Sequence, residues 1–349
     1  MFDFWKNKRV LVTGHTGFKG SWLSHWLKQL RADVCGVSLE PETKKNLYDQ
    51  ADIGSNMHSI IGDIRDKNLV NKVFTENNPE IVFHLAAQSL VRRSYTAPIE
   101  TFETNVMGTI NILEATRNCQ SVRSLVIVTS DKCYENNEQF TAFKETAPMG
   151  GKDPYSASKA CAEIVTNAYR SSFSADGDAL IATARAGNVI GGGDWSEDRL
   201  IPDLITSFQN QSSLIIRNPK AIRPWQHVLE PLFGYMLLAE KLWFSHNSFA
   251  EGWNFGPEKE EVYTVQDVVE RLKKIWGAST SWQQDPSHQP HEAQLLTLNS
   301  DKAMDLLGWK PKWSLDTTLE YIADSYKKFD SANQLRQSMD QQIEEYMKK

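Results

Sequence analysis

Arg9-Val10-Leu11-Val12-Thr13-Gly14-His15-Thr16-Gly17-Phe18-Lys19-Gly20 decides the fold. A short β-favouring run stops at a glycine, and two further glycines follow at three-residue intervals. Trp22, Leu23, Trp26, Leu27 and Leu30 then fall on one helical face. Strand, glycine turn and helix start, in that order, give a glycine-rich motif its meaning. The glycines allow a tight turn and close backbone approach, and the helix start attracts a pyrophosphate. Gly14, Thr16, Gly17, Phe18, Lys19 and Gly20 are the candidate cofactor loop, spaced GxxGxxG rather than GxGxxG.

Working outward, Asp33 to Val37, Ser59 to Ile61, Ile81 to Leu85, Leu125 to Val128 and Ala179 to Ala184 read as strands. Asp66 caps a predicted helix to about Asn77, Ile99, Phe102, Val106, Ile110 and Leu113 form one stripe of a long helix, and Tyr155 to about Phe173 is another. Wholly apolar strands alternating with helices predict an α/β fold, a Rossmann-type doubly wound parallel sheet covered on both faces. The alternation weakens after Gly187, where Gly, Pro and Trp become frequent. Residues 1–186 are read as the dinucleotide-binding domain and 187–330 mostly as a smaller, interleaved substrate lobe. Trp253-Asn254-Phe255 predicts a strand returning to the sheet, and 331–349 a polar tail, read as a loosely held helix.

With 349 residues, a net charge of −6 and 23% charged residues, the chain has the composition of a soluble globular protein. That balance excludes a general nucleic-acid surface, while local arginines can still serve a small anion. The four cysteines have no metal-like spacing, and no apolar run approaches the length of a membrane span. A cytoplasmic chain without a metal site is expected; His288 and His291, in a proline-containing loop, are read as solvent-exposed.

Ligands of a doubly wound sheet bind at the carboxyl ends of its strands. Those ends offer Asp63-Ile64 and Leu85-Ala86-Ala87 to the cofactor, with Thr104 added from the long helix. At the second strand's end, Ser38 or Glu40 is available for the adenosine ribose. No arginine stands there for a 2′-phosphate, which favours NAD over NADP. The fifth strand delivers Thr129-Ser130-Asp131-Lys132, and Tyr155 and Lys159 lie four apart on the next helix. An ammonium beside a phenol is expected to pull its pKa towards neutrality, making a general base. Of ten tyrosines, Tyr155 alone has a lysine four residues on.

This conjunction resembles the extended short-chain dehydrogenase/reductase family over nearly the whole chain. The resemblance implies that Ser130 bonds the substrate hydroxyl, Tyr155 is the base, and Lys159 its partner on the nicotinamide ribose. Asn105 resembles that family's helix asparagine, a substrate-side residue. Among its nucleotide-sugar members, 4,6-dehydratases carry Thr-Asp-Glu after the fifth strand, an acid for the C6 hydroxyl followed by a base for the C5 proton. Here Ser130-Asp131-Lys132 keeps the acid and replaces the base by lysine. The plainer reading of Asp131 is a turn-capping aspartate.

Arg185 to Trp195 and Arg223 to Pro231 are similar to the branch of these dehydratases that acts on CDP-sugars. That implies CDP-glucose as substrate and bound NAD, in deoxysugar synthesis of the O-antigen type. Asn188 and Arg223 would then meet the diphosphate, with Arg199, Arg217, His227 and Gln88 as further substrate candidates. A 4-epimerase, a 4-reductase and a non-catalytic dinucleotide-binding scaffold are the alternatives. Apolar residues on the helices at 98–118 and 155–173 predict a homodimer.

Overall fold

Apolar runs buried on both faces have parallel neighbours as their natural partners. Six pair in that way: β1 (Arg9–Thr13), β2 (Asp33–Ser38), β3 (His58–Ile61), β4 (Ile81–His84), β5 (Ser124–Val128) and β6 (Leu180–Arg185). Gly252–Asn254 adds a seventh strand beside β6, and the order from that edge is seventh, β6, β5, β4, β1, β2, β3. Every pairing is parallel, with Arg9 opposite Asp33 on one side of β1 and Val10 opposite Ile81 on the other. The order reverses at β1 and β4, so the crevice over their carboxyl ends is the natural ligand site. This computed structural model describes residues 2–138, 141–173, 178–244, 247–287, 293–329 and 331–348. His288 and His291 lie outside those residues.

Local chemistry sets the helices that flank the crevice. Asp66 caps Lys67–Asn77 by accepting from the backbone N–H groups of Asn68 and Leu69. Asp153 caps Pro154–Ser172 through the Ser156 N–H, and proline occupies the first helical position, where no N–H is needed. The long helix departs from a single stripe. Pro98–Phe102 and Gly108–Arg117 are α-helical, but Glu103–Met107 is a π-helical turn. The wider turn places Asn105 inside at 2% exposure, while Ile99 is 73% exposed and Leu113 is buried.

After β6 the chain builds a lobe around Ile201, Leu204, Val268, Leu272, Leu319 and Ile322. It also returns to the sheet, since helix Leu229–Phe244 packs on β5 and β6 before the seventh strand. The C-terminal segment corrects the expectation of a loose tail. Ala332–Lys348 is a helix whose Leu335, Met339, Ile343 and Tyr346 join Trp22 and Trp26 in the main core. Tyr346 donates to buried Glu230 at 2.6 Å, and Asp340 bonds His25 at 2.6 Å. Among the described residues no helix is long and apolar enough to cross a membrane.

Burial holds three histidines neutral: His15 is pushed down to about 4, and His84 and His227 to about 3. Each takes up a proton on unfolding once the pH drops below its ordinary 6.5. Their contribution to stability is fully present above that value and is lost as pH falls through the folded pKa values. Thermal melts from about pH 7 down to about pH 4 should show Tm falling ever more steeply. A flat Tm across that interval would contradict the neutral burial.

Candidate active site

At the end of β1 the chain turns so sharply that side chains have no room. Gly14 has φ +78°, and a Cβ there would lie 2.7 Å from the Ala86 nitrogen. A Cβ on Gly20 would stand 2.0 Å from the Gly14 carbonyl oxygen. Gly17 is the N-cap of helix Phe18–Gln29 and offers no side chain to satisfy the helix start. No side chain caps the N–H groups of that first turn, which leaves them for an anion at this edge of the crevice. Thr13 locks β1 to β4 by accepting from the N–H groups of Leu85 and Ala86, 3.1 Å each.

A continuous cavity of about 440 Å³ runs from this loop across the sheet's carboxyl edge. Every candidate cofactor residue lines it, from Gly14 to Gly20 through Ser38, Asp63, Ile64, Leu85, Ala86, Ala87 and Thr104. Thr16 donates to the Leu39 carbonyl at 2.8 Å, so Ser38, also 2.8 Å away, is the donor in their mutual bond. Glu40 lines the cavity as well. Arg65, which the sequence reading passed over, clasps Asp63 through Nε at 2.8 Å and its terminal nitrogen at 2.6 Å. Burial opposes ionisation of Asp63, but the bonds from Arg65 prevail and hold its carboxyl below the ordinary range. The spacing of two in Asp63-Ile64-Arg65 was the available signal.

Beyond β5 the candidate catalytic groups converge. Ser130 caps the short turn Asp131–Cys133 by accepting from the Lys132 N–H. The capping role therefore belongs to Ser130, and Asp131 is released from it. Asp131 is 1% exposed; its Oδ1 accepts from Ser130 Oγ at 3.0 Å and lies 3.9 Å from Lys132 Nζ. Its Oδ2 is buried without a hydrogen-bond partner. An orphaned buried acceptor on a residue that lines the cavity is a place for a ligand atom.

Tyr155 and Lys159 share the helix face turned to this spot and line the cavity. The expected low phenol pKa is not found: burial pushes Tyr155 up to about 12, with only partial relief from the Ser130 hydroxyl and Arg199. Burial also pulls Lys159 down to about 8, although Glu163 opposes it. The ammonium donates to the Val128 carbonyl at 3.2 Å, so spacing on a helix did not bring it onto the phenol. Glu163 itself accepts from Arg185 and Thr183 at 2.7–2.8 Å, fixing the ends of the helix, β5 and β6 together.

The substrate candidates divide. Gln88, Asn188, Arg199, Arg217 and Arg223 line the cavity; Asn105 and His227 do not. Asn105 accepts from the Gln88 N–H and donates to the Gln88 carbonyl and Ser158 Oγ, at 2.8–2.9 Å. It ties the π turn to the β4 loop and the catalytic helix, a positioning role. His227 is fully buried, accepts from the Leu229 N–H, and lies 4.7 Å ring to ring from Trp313. It is core. Asn188 has φ 41° and a buried Oδ1 without a partner. Arg199 donates to the Ser89 carbonyl and Arg217 to the Asp198 carbonyl. The Ser89 carbonyl orients the Arg199 guanidinium without neutralising it, whereas Arg217 also lies 3.8 Å from the Asp198 carboxylate. Trp195 and Trp225 also line this part, and Asp194 and Asp203 join them unforeseen. Among the described residues no His, Cys, Asp or Glu cluster has metal-holding geometry.

Residues 11–322 match the family described as GDP-mannose 4,6 dehydratase. The chain belongs to that family. Within this dehydratase family's reach, the CDP-glucose 4,6-dehydratase of Salmonella typhimurium is 48% identical, covering 99% of this chain and 98% of that one. The dTDP-glucose 4,6-dehydratase of Shigella flexneri is 27% identical, covering 91% and 92%. Among solved structures, the UDP-glucose 4-epimerase of Thermus thermophilus in complex with NAD superposes with TM-score 0.80 at 26% identity, covering 91% of this chain and 98% of that one. The UDP-glucose 4-epimerase of Thermotoga maritima, at 24% identity and TM-score 0.81 over 91% and 98%, shares the fold.

Proposed function

We propose that this chain is a CDP-glucose 4,6-dehydratase that works with bound NAD. The observation that carries the proposal is its near-half identity, end to end, with the Salmonella enzyme. The site agrees in chemistry, because an aspartate stands beside the Ser130, Tyr155 and Lys159 set, where an epimerase would need only that set.

The crevice suits a dinucleotide. The glycine turn leaves backbone N–H groups uncovered for a pyrophosphate, and Ser38, Glu40 and Asp63 offer polar atoms for the adenosine half. Ser130, Tyr155 and Lys159 would flank the nicotinamide end. Bound NAD supplies a hydride acceptor, returns that hydride later in the same turnover, and brings a cationic ring into a site that otherwise disfavours a phenolate.

The chain's own groups do the proton work. Tyr155 takes the proton of the C4 hydroxyl, held by Ser130 Oγ. The C4 ketone acidifies C5–H, whose proton passes to water in the cavity, and Asp131 delivers a proton from Oδ2 to the departing C6 oxygen, which leaves as water. Lys132, with its ammonium beside Asp131, stabilises the enolate by charge. A Lys132→Met variant with an unchanged rate of C5 proton exchange would remove that role. Arg199, Arg217 and Arg223 hold the diphosphate. Incubation with CDP-, UDP-, dTDP- and GDP-glucose should yield a 4-keto-6-deoxy product chiefly from the CDP sugar. A 4-epimer as the sole product, or no product, would count against the reading.

The active unit is a homodimer. Helix Pro98–Phe102 and the π turn Glu103–Met107 pack against helix Pro154–Ser172, and the three segments expose Ile99, Phe102, Met107 and Ile164. Contiguous exposed apolar side chains of this kind mark protein contacts. Paired Ile99→Glu and Phe102→Glu changes should yield a monomer on sedimentation; an unaltered dimer would exclude this face. The four cysteines are unpaired, consistent with the cytoplasm, where thiols stay reduced and a 4-keto sugar would enter deoxysugar synthesis.

A further inference from the structure

Gly187 lies two residues beyond β6, lining the cavity against the Asp131 carboxylate of the β5 turn. It is no backbone requirement. Among the described residues the glycines in the left-handed region are Gly14, Gly193, Gly277 and Gly308, so φ at 187 admits an ordinary residue. Space is what it provides. A Cβ at this position would stand 1.7 Å from Asp131 Oδ2, 2.1 Å from its Cγ and 2.8 Å from Oδ1. The Asp131 carboxylate therefore rests on the bare Cα of Gly187.

The carboxylate cannot step aside at low cost. Its Oδ1 accepts from Ser130 Oγ, and the backbone beneath it is pinned because Ser130 also caps the turn. Gly187 is held too, its carbonyl accepting from the Gln226 amide at 3.4 Å. A single methyl would have to swing the carboxylate off this seat and carry away Oδ2, the oxygen without a protein partner. The three atoms nearest that methyl all belong to Asp131, so the Ser130, Tyr155 and Lys159 set meets it only through the bond from Ser130 Oγ to Asp131.

We infer that Gly187 determines which reaction the site performs: its missing side chain seats Asp131 for water loss, and a methyl there leaves an alcohol-oxidising site that does not eliminate. The inference rests on the dehydratase reading and assigns Gly187 a positioning role, acting through Asp131. It predicts that the two half-reactions separate.

The test uses the full-length enzyme with bound NAD and CDP-glucose, following reduced nicotinamide by absorbance and the 4-keto-6-deoxy sugar by NMR. Gly187→Ala should reduce its bound cofactor at close to the wild-type rate, while product formation falls at least about 100-fold, the scale of a lost general acid. Reduced cofactor should then accumulate, as it does not in the wild type. In an Asp131→Ala background the same methyl meets no carboxylate, so adding Gly187→Ala should cost nothing further, even if the single variant folds poorly. Product formation by Gly187→Ala at the wild-type rate would overturn the inference. So would equal losses in both steps, or a further loss in the Asp131→Ala background. A wild-type enzyme that gives no 4-keto product overturns the parent reading and this inference with it.

Discussion

Tyr155→Phe should lower kcat about 1,000-fold, within the range for a general base removed from its reaction, while KM for CDP-glucose changes little. The side chain sits at the cavity floor with 7% exposure, and phenylalanine keeps its packing. Only the hydroxyl is lost. Because burial pushes the free phenol up to about 12, Tyr155 is protonated in the cofactor-free protein at neutral pH. Its contribution as a base must therefore appear when a positive charge is bound beside it. Difference-absorbance titration of wild type against Tyr155→Phe should place the phenol above the ordinary tyrosine range without cofactor and lower it with NAD present. A phenol already ionised near neutral pH in the cofactor-free protein would contradict this, as would a Tyr155→Phe enzyme of near-normal kcat.

Asp131→Asn should stop the reaction after its first half. The amide is isosteric, and its oxygen can still accept from Ser130 Oγ, so the turn and the Gly187 seat survive. What goes is the proton for the departing C6 oxygen. Water loss should fall by about 100- to 10,000-fold while C4 oxidation persists, so cofactor reduction outruns product. Equal loss of both steps would mean that Asp131 supports the site as a whole. Unchanged product formation would remove it from the chemistry.

Much of this was readable beforehand, for identifiable reasons. Arg9–Gly20 joins a strand period, a glycine turn and a helix period, and only one local geometry satisfies all three. The strand ends followed, because the chain alternates regularly up to β6. The π turn at Glu103–Met107 leaves no trace in residue type, so Asn105 was placed on the substrate rather than between Gln88 and Ser158. His227 sits in a motif-like run but faces Trp22 and Trp313, a contact across elements distant in the chain. In the C-terminal helix, Leu335, Met339, Ile343 and Tyr346 do keep a helical period, and the polar residues between them hid it. Tyr155 and Lys159 show the limit of spacing most clearly. Four residues apart fixes a shared face, whereas the phenol's pKa is decided by burial and by where the ammonium bonds.

In the proposed reaction one hydrogen leaves C4 and returns to C6 of the same sugar. CDP-glucose deuterated at C4 tests this directly, with the product read by NMR and mass spectrometry. The label should appear in the C6 methyl group of a 4-keto-6-deoxy sugar, with no net consumption of added NAD. Label found back at C4 of an epimer, or lost to a free pool of reduced cofactor, would contradict it.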